Sequence, residues 1–240
     1  MHFYPDVRMD LRLFKDRLNV FAGVKGGDRL NSYSSLKAAN HHFNMGYALL
    51  GQEDILSCTR EFYNAFAGLG GSIGSVFQYN LVAGHSKIGS DALLAADKWG
   101  NASLVLSDYN MDYIDATTTV KTNPVDFSLG LHFKHTDIDK SLALTLPVLS
   151  SDASLVWNWH RRFFAGASFE MVSARVSEAY SMDPFFNLGL SFEMKASSWL
   201  SLWLRGDNLL NQCIERIPGV VEREIGNGVC FSAGIRMDLR

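Results

Sequence analysis

Alternation of apolar with small, polar or charged residues is the feature of this sequence that most limits its fold. The last such stretch has an apolar residue at every second position, namely Val229, Phe231, Ala233, Ile235, Met237 and Leu239. A slip of one residue would exchange Ile235 with Arg236, so a single register is strongly specified. This period of two predicts a β-strand whose two faces meet chemically different surroundings.

The same alternation recurs along the whole chain. Earlier examples lie at 9–13, 73–83, 127–133, 163–171 and 186–194. Several of these stretches exceed the roughly 5–6 residues of a typical soluble strand and reach the about 9–11 residues with which a tilted strand crosses a bilayer. Only five prolines and an aromatic content of 12% also favour extended sheet. We therefore expect strands that span a membrane, with a soluble β-sheet protein as the alternative.

The connections between these stretches alternate between short and long. Short turns are predicted at 15–17, 70–71, 108–110, 136–137, 160–162 and 195–198, and longer links at 27–59, 86–99, 174–184 and 209–227, with two further short links near 121–125 and 147–151. Outer-membrane barrels have short periplasmic turns and long extracellular loops. The pattern predicts an all-β, antiparallel meander transmembrane β-barrel over residues 1–240 with about 12–14 strands, in which 27–59 is a long extracellular loop.

Composition and motifs argue against several other functions. The net charge of −3 implies no nucleic-acid partner. Cys58, Cys213 and Cys230 lack metal-ligand spacing, and their disulfide state cannot be read from the sequence. The adjacent His41 and His42 fit a solvated loop better than a metal site. No serine has the surroundings of a nucleophile elbow, so we predict neither an enzyme nor a cofactor.

One run of residues near the end of the chain carries a resemblance to a known family. An aromatic strand beginning at Trp199 leads into Asp207, Asn208, Leu209, Leu210 and Asn211, and the amphipathic strand 229–239 follows. This arrangement resembles the C-terminal end of TonB-dependent receptors, most closely the barrels of Bacteroidota. The resemblance is specific over residues 184–240 and loose upstream. The chain departs from the family by ending on Arg240 and not on an aromatic residue.

The resemblance implies the C-terminal wall of an outer-membrane transporter that takes up an unidentified ligand. The partners would be the lipid of the outer membrane and, through a plug domain that this chain lacks, the TonB system. We expect the chain to be part of a larger barrel, which would leave its first and last strands with unpaired or irregular edges. Two alternatives remain open: an accessory barrel subunit without transport, and a small barrel enzyme.

Charged residues that alternate with the apolar set are expected to face the interior of the barrel. The candidates for lining this lumen are Arg205, Asp207, Arg236, Asp238, Glu193 and Lys195. Both signs of charge are present, so these side chains would pair across strands or line a path for a polar solute. Trp203 shares their side of its strand and is expected to point inward as well. Ligand specificity would lie in the four long links.

Overall fold

The computed structural model describes residues 3–14, 17–32, 34, 58–96, 102–139, 142, 146–177, 181–217, 220–223 and 228–238. Among these residues there is no helix of the length and apolar character that would cross a membrane. The described residues between 58 and 238 are organised as strands, turns and irregular connections, without helix.

Eleven strands form one continuous sheet in which every pair is antiparallel. They are β1 (Asp6–Leu13), β2 (Leu18–Leu30), β3 (Cys58–Ile73), β4 (Phe77–Ala96), β5 (Ala102–Lys121), β6 (Val125–Thr136), β7 (Leu149–Trp159), β8 (Phe163–Val172), β11 (Phe185–Lys195), β12 (Leu200–Asp207) and β15 (Cys230–Met237). Two small hairpins interrupt this series: β9 (Arg175–Val176) with β10 (Ser181–Met182), and β13 (Ile214–Ile217) with β14 (Val220–Arg223). The predicted antiparallel meander is confirmed.

The connections divide between the two ends of the sheet. Short turns at 14–17, 74–76, 122–124, 160–162 and 196–199 lie at one end, which we call the short-turn end. The strand ends that the connections 31–57, 97–101, 137–148, 173–184 and 208–229 join lie at the other, which we call the loop end. The predicted long links 27–59, 174–184 and 209–227 therefore fall on one side as expected, whereas 86–99 does not correspond to a long connection. The briefest of these connections, 97–101, joins the two longest strands, each of 20 residues.

The turn predicted at Gly70 and Gly71 is wrong, because both residues lie inside β3. The chain turns at Gly74 instead, whose φ of 63° lies in the left-handed region that glycine tolerates. Gly71 has a different role, since a Cβ atom there would collide with the carbonyl oxygen of Arg17 in the neighbouring turn. Gly74 therefore forms a turn, and Gly71 allows two neighbouring turns to approach closely.

Four further predicted connections need correction. Residues 86–96 of the predicted link 86–99 lie within β4, its residues 97–99 lie outside the described residues, and the predicted turn 108–110 lies within β5. A bulge between Ile88 and Asp91 disturbs the pairing of β4 and so interrupts the alternation that would reveal a strand. The predicted connections at 136–137 and 147–151 are the two ends of one connection, 137–148. The continuous sheet consequently has eleven strands, and β2 and β3 shorten the predicted loop 27–59 to 31–57.

One face of the sheet, which we call the apolar face, carries the apolar set of most strands, although the His85–Asp112 pair and Ser151 also lie on it. Register partners follow one another across it, as in the row Leu11, Val20, Leu69, Leu81, Ala116, Leu131, Ser151, Met171 and Phe186. Leu190 and Phe231 on this face are 50% and 70% exposed. Of the residues predicted to face lipid, Phe192, Ile235 and Met237 are also exposed, whereas Phe186 and Leu188 are half-buried.

The opposite face, which we call the polar face, combines charged residues with aromatic rings that lie over glycines. The ring of Trp203 covers Gly234 of the adjacent strand, where a Cβ atom would approach Trp203 Cζ2 to 2.5 Å. Tyr113 covers Gly84 in the same way. Trp203 therefore lies on the polar face, the side predicted to point inward, and glycine on the partner strand provides the room for its ring.

The two outer strands each have one neighbour within the described sheet. Strand β1 pairs with β2, and β15 pairs with β12, so the outer edges of both strands carry backbone groups without a ladder partner in the sheet. Nearly every residue of β1 is exposed on both faces. This arrangement agrees with the expectation of unpaired edges.

Replacement of Leu190 by arginine should test the assignment of the two faces. The side chain lies in the middle of β11 on the apolar face, so Leu190→Arg should cost roughly 2–4 kcal/mol in a bilayer if it lies near the midplane. Ser191→Arg is the matched control, because Ser191 is the next residue and points to the polar face. Urea unfolding in lipid vesicles measures both variants; equal losses of stability would contradict the assignment.

Candidate functional site

A buried carboxylate, that of Asp91, holds four strands together at the loop end. Arg29 Nη2 of β2 donates to Asp91 Oδ1 at 2.9 Å, and Tyr109 Oη of β5 donates to Asp91 Oδ2 at 2.8 Å. The hydroxyl of Thr59 in β3 lies 3.1 Å from Asp91 Oδ1 and 2.9 Å from Asn31 Oδ1. Asp91 itself belongs to β4. The carboxylate therefore fixes the places where the connection between β2 and β3 leaves and rejoins the sheet.

Most of this network is removed from water. Asn31, Thr59, Asp91 and Tyr109 are all buried, whereas the side chain of Arg29 is 71% exposed. Hydrogen bonds from groups that do not face solvent are worth more to a buried carboxylate than an exposed ion pair. Thr59 and Tyr109 are therefore the contacts of Asp91 that matter most for stability.

The ring of Tyr109 also belongs to a small apolar core on the same end of the sheet. Leu93 and Tyr109 of the strands are buried together with Ile138 and Leu142 of the connection 137–148. Beside this core, Asp137 accepts hydrogen bonds from the backbone N–H of Asn110 at 2.6 Å and from its side-chain amide at 2.7 Å. These two bonds hold the pKa of Asp137 below its ordinary value. The connection is thus fastened by both apolar and polar contacts.

A second core joins the other two long connections. Val172 at the end of β8 is buried with Phe185 of β11 and with Ile214 of β13. Arg175, also buried, donates from Nη2 to the carbonyl oxygen of Glu215 at 2.7 Å. The connections 173–184 and 208–229 are therefore packed against the sheet and bonded to each other. Sequence reasoning missed both cores because their members are distant in the chain.

The motif Asp207–Asn211 forms a tight corner at the end of β12. Asn208 is 1% exposed and, like Asn211, has a φ of 52°. Its side chain donates from Nδ2 to the carbonyl oxygen of Gln212 at 2.8 Å and accepts from the Gln212 N–H at 3.1 Å. The Leu209 N–H donates to the carbonyl oxygen of Leu188 on β11. Gln212, which the sequence did not single out, completes the corner by accepting the Phe186 N–H through its side chain.

The six residues expected to line the lumen lie on neighbouring strands: Glu193, Lys195, Arg236 and Asp238 lie near the short-turn end of β11 and β15, and Arg205 and Asp207 lie in the loop-end half of β12. Arg205 Nε lies 2.9 Å from Asp207 Oδ1, and Arg236 Nη1 lies 3.7 Å from Glu193 Oε2. Glu193, Lys195, Arg236 and Asp238 line a cavity of about 220 Å³, and a neighbouring one of about 590 Å³ is lined in part by Glu193, Arg205, Asp207 and Arg236. Opposite charges balance within this group, so it offers a polar surface with little net charge.

A further charged group on the polar face joins three strands. His132 Nδ1 lies 2.7 Å from Asp115 Oδ1, and His132 Nε2 lies 3.5 Å from Asp152 Oδ1. A catalytic histidine would direct one ring nitrogen at a nucleophile, whereas this ring faces a carboxylate on both sides. Within the described parts of the chain, no three His, Cys, Asp or Glu side chains are placed to hold a metal ion. The group therefore has the geometry of charge pairing.

Comparison with known proteins adds information on the fold. No family model and no curated protein matches the chain. Among solved structures, it is similar to the copper transporter OprC, with 14% identity over 97% of this chain and 39% of that one and a TM-score of 0.67. It is also similar to the ferric-catecholate import receptor Fiu of E. coli K12, with 10% identity, 97% and 34% coverage and a TM-score of 0.67.

A third similar structure is the pyoverdine outer-membrane receptor FpvA of Pseudomonas aeruginosa PAO1, with 10% identity, 98% and 36% coverage and a TM-score of 0.69. The chain therefore spans between about a third and two fifths of these proteins. At these identities the likeness establishes the fold alone. The fold is the antiparallel barrel wall that TonB-dependent outer-membrane receptors have.

The corner at Asn208 should be important for stability. Asn208→Ala should cost about 2–3 kcal/mol, because two hydrogen bonds to Gln212 are lost and alanine disfavours a left-handed backbone. Asn208→Gly loses the same side chain but tolerates the backbone angle, so it should be less destabilised by roughly 1 kcal/mol. Urea unfolding in vesicles gives both values. Wild-type stability in both variants would show that the corner is not a stabilising element.

Proposed function

We propose that the chain forms part of the wall of a TonB-dependent-receptor-like transporter in the outer membrane. The observation that carries the proposal is an antiparallel meander, of eleven strands among the described residues, whose apolar face has exposed large side chains on most strands. Water would penalise such a face, whereas lipid would not. Over 97% or more of its length the chain also shares its fold with outer-membrane receptors and transporters.

The loop end would face the outside of the cell and capture the ligand. Long connections gather there, and two small cores and the Asp91 network hold them against the sheet. The charged group would line the lumen, with Glu193 and Arg236 near the short-turn end and Arg205 further toward the loop end. Domain boundaries follow from this view, with residues 1–240 as one barrel segment and 31–57 as an extracellular loop.

The class of ligand is suggested by the similar structures. These proteins are a copper transporter, a ferric-catecholate import receptor and a pyoverdine receptor. Metal ions and metal chelates are therefore the first ligands to test. Since these proteins are transporters and receptors, they also support a role other than catalysis.

Partners and origin complete the proposal. Lipid would contact the apolar face, and the TonB system would act through a plug domain encoded upstream. The proposed origin in Bacteroidota rests on the run Asp207–Asn211 and its setting alone; the similar structures with a stated source come from E. coli and Pseudomonas aeruginosa.

Labelling of single cysteines in intact cells should test the location and orientation. With the three native cysteines replaced by serine, Asp183→Cys places a thiol in the connection 173–184, and Ser197→Cys places one in a short turn; both sites are exposed. A membrane-impermeant maleimide should label Asp183→Cys in intact cells and Ser197→Cys only after the outer membrane is permeabilised. Labelling of Ser197→Cys alone would reverse the orientation, and labelling of neither would contradict the location.

Uptake measurements should separate transport from a purely structural role. Cells that express the full protein should accumulate at least one radiolabelled probe from a panel of ferric catecholate, ferripyoverdine and cupric ion. Accumulation should fall to background when TonB is deleted, because the import step needs energy from the inner membrane. Accumulation that is the same with and without TonB would contradict TonB-dependent transport. A protein in the outer membrane that imports no member of the panel would favour the accessory subunit.

A further inference from the structure

Among the described residues, Tyr109 is the side chain that belongs to both the Asp91 network and the apolar core formed with Ile138 and Leu142. Its hydroxyl donates to Asp91 Oδ2 at 2.8 Å, and its ring is buried among Leu93, Ile138 and Leu142. Tyr109 is 5% exposed, so its hydroxyl cannot form a hydrogen bond with bulk water if Asp91 moves away. A movement of the ring and a movement of the carboxylate are therefore tied together.

Asp91 in turn is tied to the ends of β2 and β3. Arg29, the last residue but one of β2, and Thr59, the second residue of β3, both contact Asp91 Oδ1. Arg29 and Thr59 are also register partners in the sheet. The Asp91 carboxylate therefore contacts both strand ends that the connection 31–57 joins.

We propose that Tyr109 and Asp91 are positioning residues that couple two connections at the loop end, one joining β2 to β3 and the other joining β6 to β7. When the contacts of Ile138 with the core are lost, Tyr109 loses its packing and Asp91 loses its best-buried donor. The ends of β2 and β3 then lose a shared anchor. In the opposite direction, loss of the Thr59 contact loosens Asp91, then Tyr109, and then the packing of Leu142.

Coupling of this kind travels through a single shared residue and needs no movement of the whole sheet. Its consequence for ligand capture rests on the proposed function: a ligand that displaces one connection would alter the other. The coupling itself concerns the ligand-free protein. Its failure would leave the proposed transport untouched, and a failure of transport would leave the coupling in place.

Hydrogen–deuterium exchange of the full protein in lipid nanodiscs tests the coupling without a ligand. The readouts are the amides of residues 29–31 and 59–60 on one side and the Leu142 amide, which donates to Asp139, on the other. Thr59→Val should speed exchange at Leu142, and Ile138→Ala should speed exchange at 29–31 and 59–60. Each remote effect should be roughly ten-fold, as expected for the loss of one hydrogen bond to a carboxylate.

Two variants on β5 provide the decisive comparison. Tyr109→Phe keeps the ring in the core but removes the bond to Asp91, so in this background the remote effects of Thr59→Val and Ile138→Ala should disappear. Tyr113→Phe is the matched control, because Tyr113 lies on the same face of β5 and donates to Asn64; the remote effects should persist there. Exchange that changes only beside each substitution, or remote effects that survive Tyr109→Phe, would overturn the proposal.

Discussion

The structure depends on one constraint, which is that most strands of the sheet present an apolar row on one side and a polar row on the other, and the described residues place no second layer over the apolar side. In a soluble protein an exposed leucine or phenylalanine forfeits about 1.5–3 kcal/mol of burial. Leu190, Phe231 and Ile235 are at least half exposed, and comparable residues occur on most strands of the sheet. Lipid removes this cost, provided that the backbone pairs internally. The meander meets that requirement between β1 and β15, and the outer edges of these two strands have no ladder partner among the described strands.

On the polar face and at the loop end, side chains and connections are held in place without a large hydrophobic core. On the polar face, glycines such as Gly84 and Gly234 let the rings of Tyr113 and Trp203 lie flat against the partner strand, and charges pair across strands. At the loop end, two clusters of buried side chains and one buried carboxylate fasten connections that the strand ladder does not reach. At the loop end, side-chain contacts therefore hold the connections in place, as backbone hydrogen bonds hold the strands of the sheet together.

The faces of the sheet could be predicted from the sequence because each strand carries its own period of two. For this reason the sequence predicts the register of Ile235 and the side of the strand on which Trp203 lies. Connections were harder to predict, since turn-forming residues also serve other purposes. Asp108, Tyr109 and Asn110 look like a turn, yet Asp108 accepts the Ser90 N–H, Tyr109 bonds to Asp91, and Asn110 bonds to Asp137. These partners lie 18–27 positions away in the chain, where a local pattern contains no information about them.

The same limit applies to the candidate sites. The charges of the expected lumen lining alternate with apolar residues and were therefore visible, and the run Asp207–Asn211 was visible through its resemblance to a family. Gln212, Ile138 and Arg175 were not, because their importance comes from contacts made after the chain has folded. A buried network such as that of Asp91 combines residues from four strands, and no spacing in the sequence joins them.

Spin labels placed one at a time along β11, from Phe186 to Glu193, test the central claim most directly. The protein would be reconstituted in bilayers, and the collision rates of each label with oxygen, which concentrates in lipid, and with a water-soluble nickel chelate would be measured. The account predicts a period of two, with high oxygen accessibility at positions 186, 188, 190 and 192 and a lower value at the positions between them. A uniform profile, or maxima at 187, 189, 191 and 193, would contradict it.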